Sequence, residues 1–246
     1  MATEVRYSFS HLRVIEREEL PVVAINLLTK NRTELAVRAI HQCLRYLRYE
    51  GRLMWFVTDN GSEPAHHERL GYAIPPMYVL GGISQAGSIG ACWNTGLREI
   101  FNHTEYYLRL EDDMCLKVEM NITRWVKIMM MNTEIGMIRL GQMVPGLDFE
   151  SRKYRIYTHV GHEEDILLRV GKGVQYCYSG HPALFHKRFH DYYGYFPETE
   201  ISAGELELSM DSSVRANGGP DVYFPWDTGK YGTWGAWDHV GVRSAE

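Results

Sequence analysis

Three consecutive carboxylates, Glu111-Asp112-Asp113, follow the apolar stretch Tyr106-Tyr107-Leu108-Arg109-Leu110. Side chains do not cheaply neutralise three acids in a row. Buried together they would raise one another's pKa, so at neutral pH they need a cation or open water. If the strand continues through them, Glu111 and Asp113 lie on one side and Asp112 points away. Such a pair suits a hard divalent metal held through oxygen. A solvated turn is the plainer alternative. The position at the C-terminal end of a predicted parallel strand, where open α/β sheets bind ligands, weighs towards a site.

A second acidic turn, Asp59-Asn60-Gly61-Ser62, closes the apolar run Leu53 to Thr58. Asp59 offers an acceptor for a base N–H or a ribose hydroxyl, with an ordinary Asx turn as the competing reading. Gly81-Gly82 and Gly87-Ser88-Ile89-Gly90 lack the spacing of a P-loop or a dinucleotide fingerprint, and point to close backbone approach. His66, His67, His181, His186 and His190 read as surface or packing residues; no glutamate at position 187 turns the His186/His190 pair into a zincin motif. His239 stands apart, in the aromatic tail Trp234-Gly235-Ala236-Trp237-Asp238-His239, where an imidazole could be brought to a metal. A structural role is the alternative. No GxSxG is present, which argues against a serine hydrolase. A metal-dependent phosphohydrolase stays open on Asp112 and Asp113.

The elements that must position these groups alternate. Pro21 to Leu28 reads as a buried strand; Asn31 and Glu34 offer a capping box for a helix running to about Tyr49; Leu53 to Thr58 is the next strand. This order predicts a parallel pair with a right-handed crossover. A helix over 63–72, a short strand over 77–80, a helix from near Gly87 and the strand 106–110 continue the pattern. A helix near 122–130 and a strand over 135–140 follow. Residues 148 to 178 read as three antiparallel pieces, 155–159, 166–170 and 174–178. A short helix within 183–193, a helix from Gly204 to Asn217 and a strand over 222–224 come next. The Gly- and Trp-rich tail, 226–242, reads as a covering loop, not a packed element.

The 246 residues are 45% hydrophobic, which suits a single domain. The net charge of −5 argues mildly against a protein that wraps a long polyanion. Four widely separated cysteines without CxxC spacing predict reduced, buried thiols in a cytoplasmic protein. Met1 to Pro21 has no apolar run of signal length, which predicts neither secretion nor a membrane span.

These motifs together resemble the inverting nucleotide-sugar glycosyltransferases of the GT-A type, closest to family 2, over roughly residues 21 to 240. The resemblance implies an α/β GT-A fold, a Rossmann-like parallel half followed by a mixed sheet half, with about 21–117 as the nucleotide-binding half and about 118–240 as the acceptor-side half with a closing C-terminal loop. It implies that Thr29, Asn31 and Arg32 line the turn that meets the nucleotide, and that Asp59 holds the uracil or ribose. Gly87 through Asn94-Thr95-Gly96 resembles the family's helix before the metal motif, with Trp93 where arginine is common. Glu111-Asp112-Asp113 resembles the Asp-any-Asp motif. Asp113 would then be the direct ligand of Mn²⁺ or Mg²⁺, with Glu111 and Asp112 nearer the ribose or reaching the metal through water.

By the same resemblance Glu205, in Gly204-Glu205-Leu206-Glu207, falls where the acceptor-activating carboxylate is expected, with Glu207 and Asp211 as substitutes. Lys230 would touch phosphate and His239 the metal. The implied reaction is a single displacement from a nucleotide-sugar, UDP by expectation, carrying a hexosyl or N-acetylhexosaminyl group to an acceptor hydroxyl. A phage-type enzyme glycosylating a hydroxylated DNA base is an alternative; Arg152, Lys153, Arg155, Lys187 and Arg188 could then meet a backbone, or be plain surface charge. A non-catalytic nucleotide- or sugar-binding module is another.

Overall fold

The computed structural model describes residues 20–141, 149–158, 161–173, 175–225 and 236–240. Val23–Thr29 (β1), Leu53–Asp59 (β3) and Tyr106–Glu111 (β5) are parallel neighbours, with Val79–Ser84 (β4) outside β3. Between them run the helices Thr33–Tyr46 (α1), Pro64–Ala73 (α2) and Ile89–Ile100 (α3). The sheet continues past β5 through Ala183–His186 (β11), Ile135–Arg139 (β8), Asp221–Pro225 (β12), Gly161–Val170 (β10) and Phe149–Thr158 (β9). One sheet of nine strands thus spans both halves, in the order β4-β3-β1-β5-β11-β8-β12-β10-β9. β11 is antiparallel to both β5 and β8, and this is where the parallel half becomes mixed.

Side chains alternate across this sheet, so each face has its own core. Ile25, Leu27, Leu108 and Leu110 pack with α1 and the helix Thr123–Met131 (α4). Ala24, Phe56, Tyr107 and Phe185 pack on the opposite face with α3 and the helices Arg188–Tyr193 (α5) and Ala203–Ala216 (α6). Two glycines of α3 are explained by contact. A Cβ on Gly96 would lie 2.1 Å from Thr58 Oγ1, and one on Gly90 1.8 Å from the Pro197 carbonyl. The close approach read from Gly90 is therefore to the protein's own backbone.

Several expectations are corrected. Asn31 does not cap α1: it sits at φ 52°, and its side chain accepts from the Glu63 N–H at 2.9 Å. Of the strand expected over 174–178, the described residues 175–178 form turns and bends. Tyr176 has φ 67°, and the N–H groups of Tyr176 and Tyr178 go to the Asp211 carboxylate and not to a ladder. The other two antiparallel pieces are one long hairpin, β9 with β10. The short helix expected within 183–193 is α5, but the first four residues of that stretch are strand β11, too short for periodicity to reveal. The tail contains a packed strand, Trp237–His239 (β13), which pairs with Met114–Leu116 (β6); Trp237 is fully buried. Short strands Leu47–Arg48 (β2) and Met120–Asn121 (β7) pair separately. All four cysteines are free and buried. No helix among the described residues is long and apolar enough to cross a membrane.

His190 is buried among Tyr107, Phe185 and Tyr195, bonded to Tyr107 Oη at 2.6 Å. Burial pulls its pKa down to about 4, and that of His186 likewise to about 4. An unfolded histidine takes its proton near pH 6.5. Between these values the unfolded chain holds more protons, so stability falls as pH falls through the window from about 6.5 to about 4. Urea midpoints at pH 7.5 and 5.0 should show this loss, on the order of 2 kcal/mol for His190 at pH 5. His190→Gln should flatten part of the dependence; an unchanged slope between the two pH values would contradict the assignment.

Candidate active site

The register of the parallel strands gathers the acidic turns. Thr29 pairs with Asp59 across β1 and β3, and Leu28 with Glu111 across β1 and β5. Three strand ends therefore deliver Thr29, Asp59 and Glu111 to one edge, and the chain turns at Asp112-Asp113 before entering β6.

That turn changes which acids face one another. Strand geometry predicts Glu111 with Asp113, but β5 ends at Glu111, and Asp112 and Asp113 instead converge on Arg32. Arg32 Nη2 binds Asp112 Oδ1, and Arg32 Nη1 lies 2.9 Å from Asp113 Oδ2. Thr29 Oγ1 donates to Asp112 Oδ2 at 2.8 Å. Asp112 is fully buried, and that burial pushes its pKa up to about 6 against the pull of Arg32 and Thr29. Glu111 turns the other way, to Arg109 Nη2 at 2.8 Å. Arg109 is buried between Trp93 and Phe196, with its carbon 4.5 and 5.4 Å from the ring centres, and also binds Tyr178 Oη. Trp93 thus carries the arginine of the neighbouring strand, a role its place in the α3 motif did not suggest.

Asp113 is the acid best suited to a cation. Its Oδ2 takes Arg32 and lies 3.4 Å from His239 Nε2, while its Oδ1 is buried with no hydrogen-bond partner among the described residues. His239 arrives because β13 pairs with β6 and the Val240 N–H donates to the Asp113 carbonyl at 2.9 Å. His181 stands beside it, ring centres 6.4 Å apart. Burial, then Arg139 and His239, pull the His181 pKa down to about 3, so it stays neutral. Among the described residues no group of three or more His, Cys, Asp and Glu could enclose a metal. A buried carboxylate oxygen without a partner, next to an imidazole, still fits a hard divalent cation that takes its other ligands from phosphate oxygens and water.

Asp59 is held from several sides. The Ser62 N–H donates at 2.8 Å and Ser84 Oγ at 2.7 Å; Ser62 Oγ also bonds it, and His67 Nε2 lies 3.4 Å away. Burial alone would raise its pKa, but these bonds together hold it below the usual carboxylate range. His66, expected on the surface or in packing, is buried and joins the two acidic turns. Its Nε2 lies 3.2 Å from Thr29 Oγ1 and its Nδ1 2.8 Å from Thr33 Oγ1. No spacing in the sequence signals that link, because it needs α2 to pack beside α1 and reach the end of β1.

The three candidate bases have different surroundings. Glu205 closes a capping box at the start of α6, its carboxylate accepting from the Ser202 N–H at 2.8 Å and Ser202 Oγ at 2.7 Å. Asp211 is fully buried and holds Tyr176, Tyr178 and Arg215. Glu207 Oε1 accepts from the Gly180 N–H at 2.9 Å, and Gly180 packs on Arg109, where an added Cβ would meet Nη2 at 3.4 Å. Glu207 is thereby joined to the Arg109–Glu111 group through Gly180, and Asp211 is joined to it through Tyr178. Lys230 lies outside the described residues.

This arrangement has counterparts among solved structures. A mannosyltransferase from Pyrobaculum calidifontis, in complex with GDP-Man and Mn²⁺, aligns with 92% of this chain and 62% of its own, at 13% identity and a TM-score of 0.54. GalNAc-T7 with UDP, GalNAc and Mn²⁺ aligns over 85% of this chain and 43% of its own, at 12% identity and a TM-score of 0.57. S. aureus TarS 1-349 aligns over 83% of this chain and 60% of its own, at 14% identity and a TM-score of 0.53. The fold is GT-A. The chain spans less than two thirds of the length of each of these GT-A structures. No protein-family model matches the sequence, and no curated protein matches it.

In this GT-A chain the Glu111–Arg109 pair is a structural ion pair as well as part of the site. Glu111→Ala would leave a buried guanidinium without its carboxylate, at a cost of about 3 kcal/mol. Urea denaturation should show a lower midpoint at an unchanged slope. A shift within about 0.5 kcal/mol would instead mark Glu111 as an ordinary surface acid.

Proposed function

We propose that the chain is a metal-dependent, inverting glycosyltransferase that moves a sugar from a nucleotide donor, UDP by preference, to an acceptor hydroxyl. The observation that carries this is Asp113, whose buried Oδ1 has no partner among the described residues and whose Oδ2 faces His239. It stands beside the Asp59 turn, at the strand ends where α/β sheets bind nucleotides. The GT-A fold supports the same reading, and two structures with that fold carry a nucleotide and Mn²⁺: the mannosyltransferase with GDP-Man and GalNAc-T7 with UDP. Mn²⁺ and Mg²⁺ both suit a carboxylate, and the imidazole favours Mn²⁺.

Asp113 and His239 would hold the cation, which when bound supplies Lewis-acid neutralisation of the departing diphosphate. Thr29, Asn31, Arg32 and Asp59 border the nucleotide, and Asp112 keeps Thr29 and Arg32 in place. Lys230 remains a proposed phosphate contact. We assign the base to Glu207. Its Oε1 is held by Gly180 N–H, and its Oε2 makes no hydrogen bond among the described residues. It would take the acceptor hydroxyl's proton as that oxygen attacks the anomeric carbon, a role worth roughly 10²–10⁴-fold in rate. Glu205 is the weaker candidate because its carboxylate is engaged in the capping box. With one carboxylate and no protein nucleophile in the scheme, the product is inverted.

The positive side chains that could have met DNA are mostly engaged within the protein. Arg188 Nη1 donates to the carbonyls of Met129, Asn132 and Ile135, Lys187 pairs with Asp191, and Arg152 with Glu150. The side chain of Arg155 lies outside the described residues, and Lys153 remains. A glycan hydroxyl is therefore the acceptor we favour.

Calorimetry of UDP with and without Mn²⁺ tests the donor site. Asp113→Ala should abolish the metal-dependent part of the affinity; affinity that ignores both the metal and the substitution would remove the cation from the scheme. Product analysis over a donor and acceptor panel tests the reaction. Glu207→Gln should keep nucleotide binding and lose transfer by about 10²-fold or more, whereas Glu205→Gln should retain it. The reverse result would return the base to Glu205. Donor binding without turnover would identify a binding module, and phosphate release from simple esters a phosphohydrolase.

A further inference from the structure

Arg32 is bound where a cation would have to act. Its guanidinium reaches Asp112 Oδ1 and Asp113 Oδ2, the second of which also faces His239. The arginine is nearly half exposed, at 46% for its side chain, while Asp112 beneath it is fully buried and Asp113 nearly so. Its backbone is pinned. The Arg32 carbonyl accepts the Ala36 N–H at 3.0 Å, opening α1, and the preceding Asn31 is tied to Ser62 Oγ at 2.7 Å and to the Glu63 N–H. The loop is therefore fixed and only the side chain, open to solvent on one side, is free to swing.

Two positive groups cannot share Asp113 cheaply. A divalent cation at Asp113 and a guanidinium within a few ångströms repel strongly in a partly buried setting. The donor brings its own solution, because a diphosphate is an anion whose oxygens match the fork of an arginine. We infer that Arg32 is an exchangeable counter-ion. It neutralises the Asp112–Asp113 pair until the cation takes Asp113, and then passes to the diphosphate that accompanies the cation. This rests on the cation site proposed above. It adds an energetic link: the ion pair opposes a metal arriving alone and is compensated when metal and nucleotide arrive together, so each raises the other's affinity.

The test is a set of Mn²⁺ titrations at pH 8, with the free ion read by electron paramagnetic resonance and the heat by calorimetry, each with and without saturating UDP. Wild-type protein should bind Mn²⁺ weakly alone and more tightly with UDP. Arg32→Ala should bind Mn²⁺ alone about fivefold more tightly, the factor expected for loss of a competing, half-exposed ion pair, and the enhancement by UDP should shrink. Arg32→Lys keeps the charge but not the fork, and should lie between the two. It also serves as the reporter if Arg32→Ala does not fold. Mn²⁺ affinity that is unchanged or weaker in both Arg32 variants overturns the exchange. Asp113→Ala separates the two ideas. If that variant still binds Mn²⁺ like the wild type, the cation site itself is misplaced; if it loses Mn²⁺ while the Arg32 variants bind no more tightly, only the exchange fails.

Discussion

The Asp112 carboxylate, fully buried at a strand end, is the constraint around which the site is arranged. A buried charge needs partners, and this one takes two that are distant in sequence: Thr29 from the end of β1 and Arg32 from the start of α1. Those bonds hold the first loop of the chain against the turn after β5. Thr29 then passes the connection to His66 on α2, and His66 lies 3.8 Å from Asp59. Three loops from three crossovers are thus tied through a few side chains, and Asp113 follows Asp112 into place because it is the next residue.

The second half answers a different requirement. Arg109 is buried in the centre of the sheet, and a guanidinium keeps its charge there only if it is surrounded by acceptors and aromatic faces. Glu111, Tyr178, Trp93 and Phe196 supply these from β5, the 176–181 segment, α3 and the chain before α6. Satisfying Arg109 brings Gly180 against it, and Gly180 in turn holds Glu207. The surroundings of Glu207 are therefore built outwards from one buried arginine, as those of Asp113 are built from one buried aspartate.

Much of this frame was legible in the sequence, since apolar runs with polar closures mark β1, β3 and β5, and helical spacing marks α1, α3 and α6. The acidic turns and the position of His239 were also readable, because residue type and place at a strand end carry the signal. What escaped was set by tertiary contact. Asn31 looks like a helix cap, but its left-handed backbone sends the side chain to another loop. The sequence of 174–178 reads as a strand, but Asp211 takes the N–H groups of Tyr176 and Tyr178. Asp112 joins Asp113 in place of Glu111 because the strand stops one residue before alternation would have separated them. His66 gave no signal, as its partners come from β1 and α1.

The pairing of β13 with β6 has a kinetic meaning too. Asp113 and His239 are separated by more than half of the chain, and their meeting requires closing that whole span. Long-range contacts of this kind form late, after the entropy of the intervening chain has been overcome by local elements. The edge made from the consecutive units β1 to β5 can form well before the imidazole arrives. A nascent or partly folded chain would then gather Thr29, Asp59 and Asp112 at one edge before His239 reaches Asp113, so the edge is assembled in two stages.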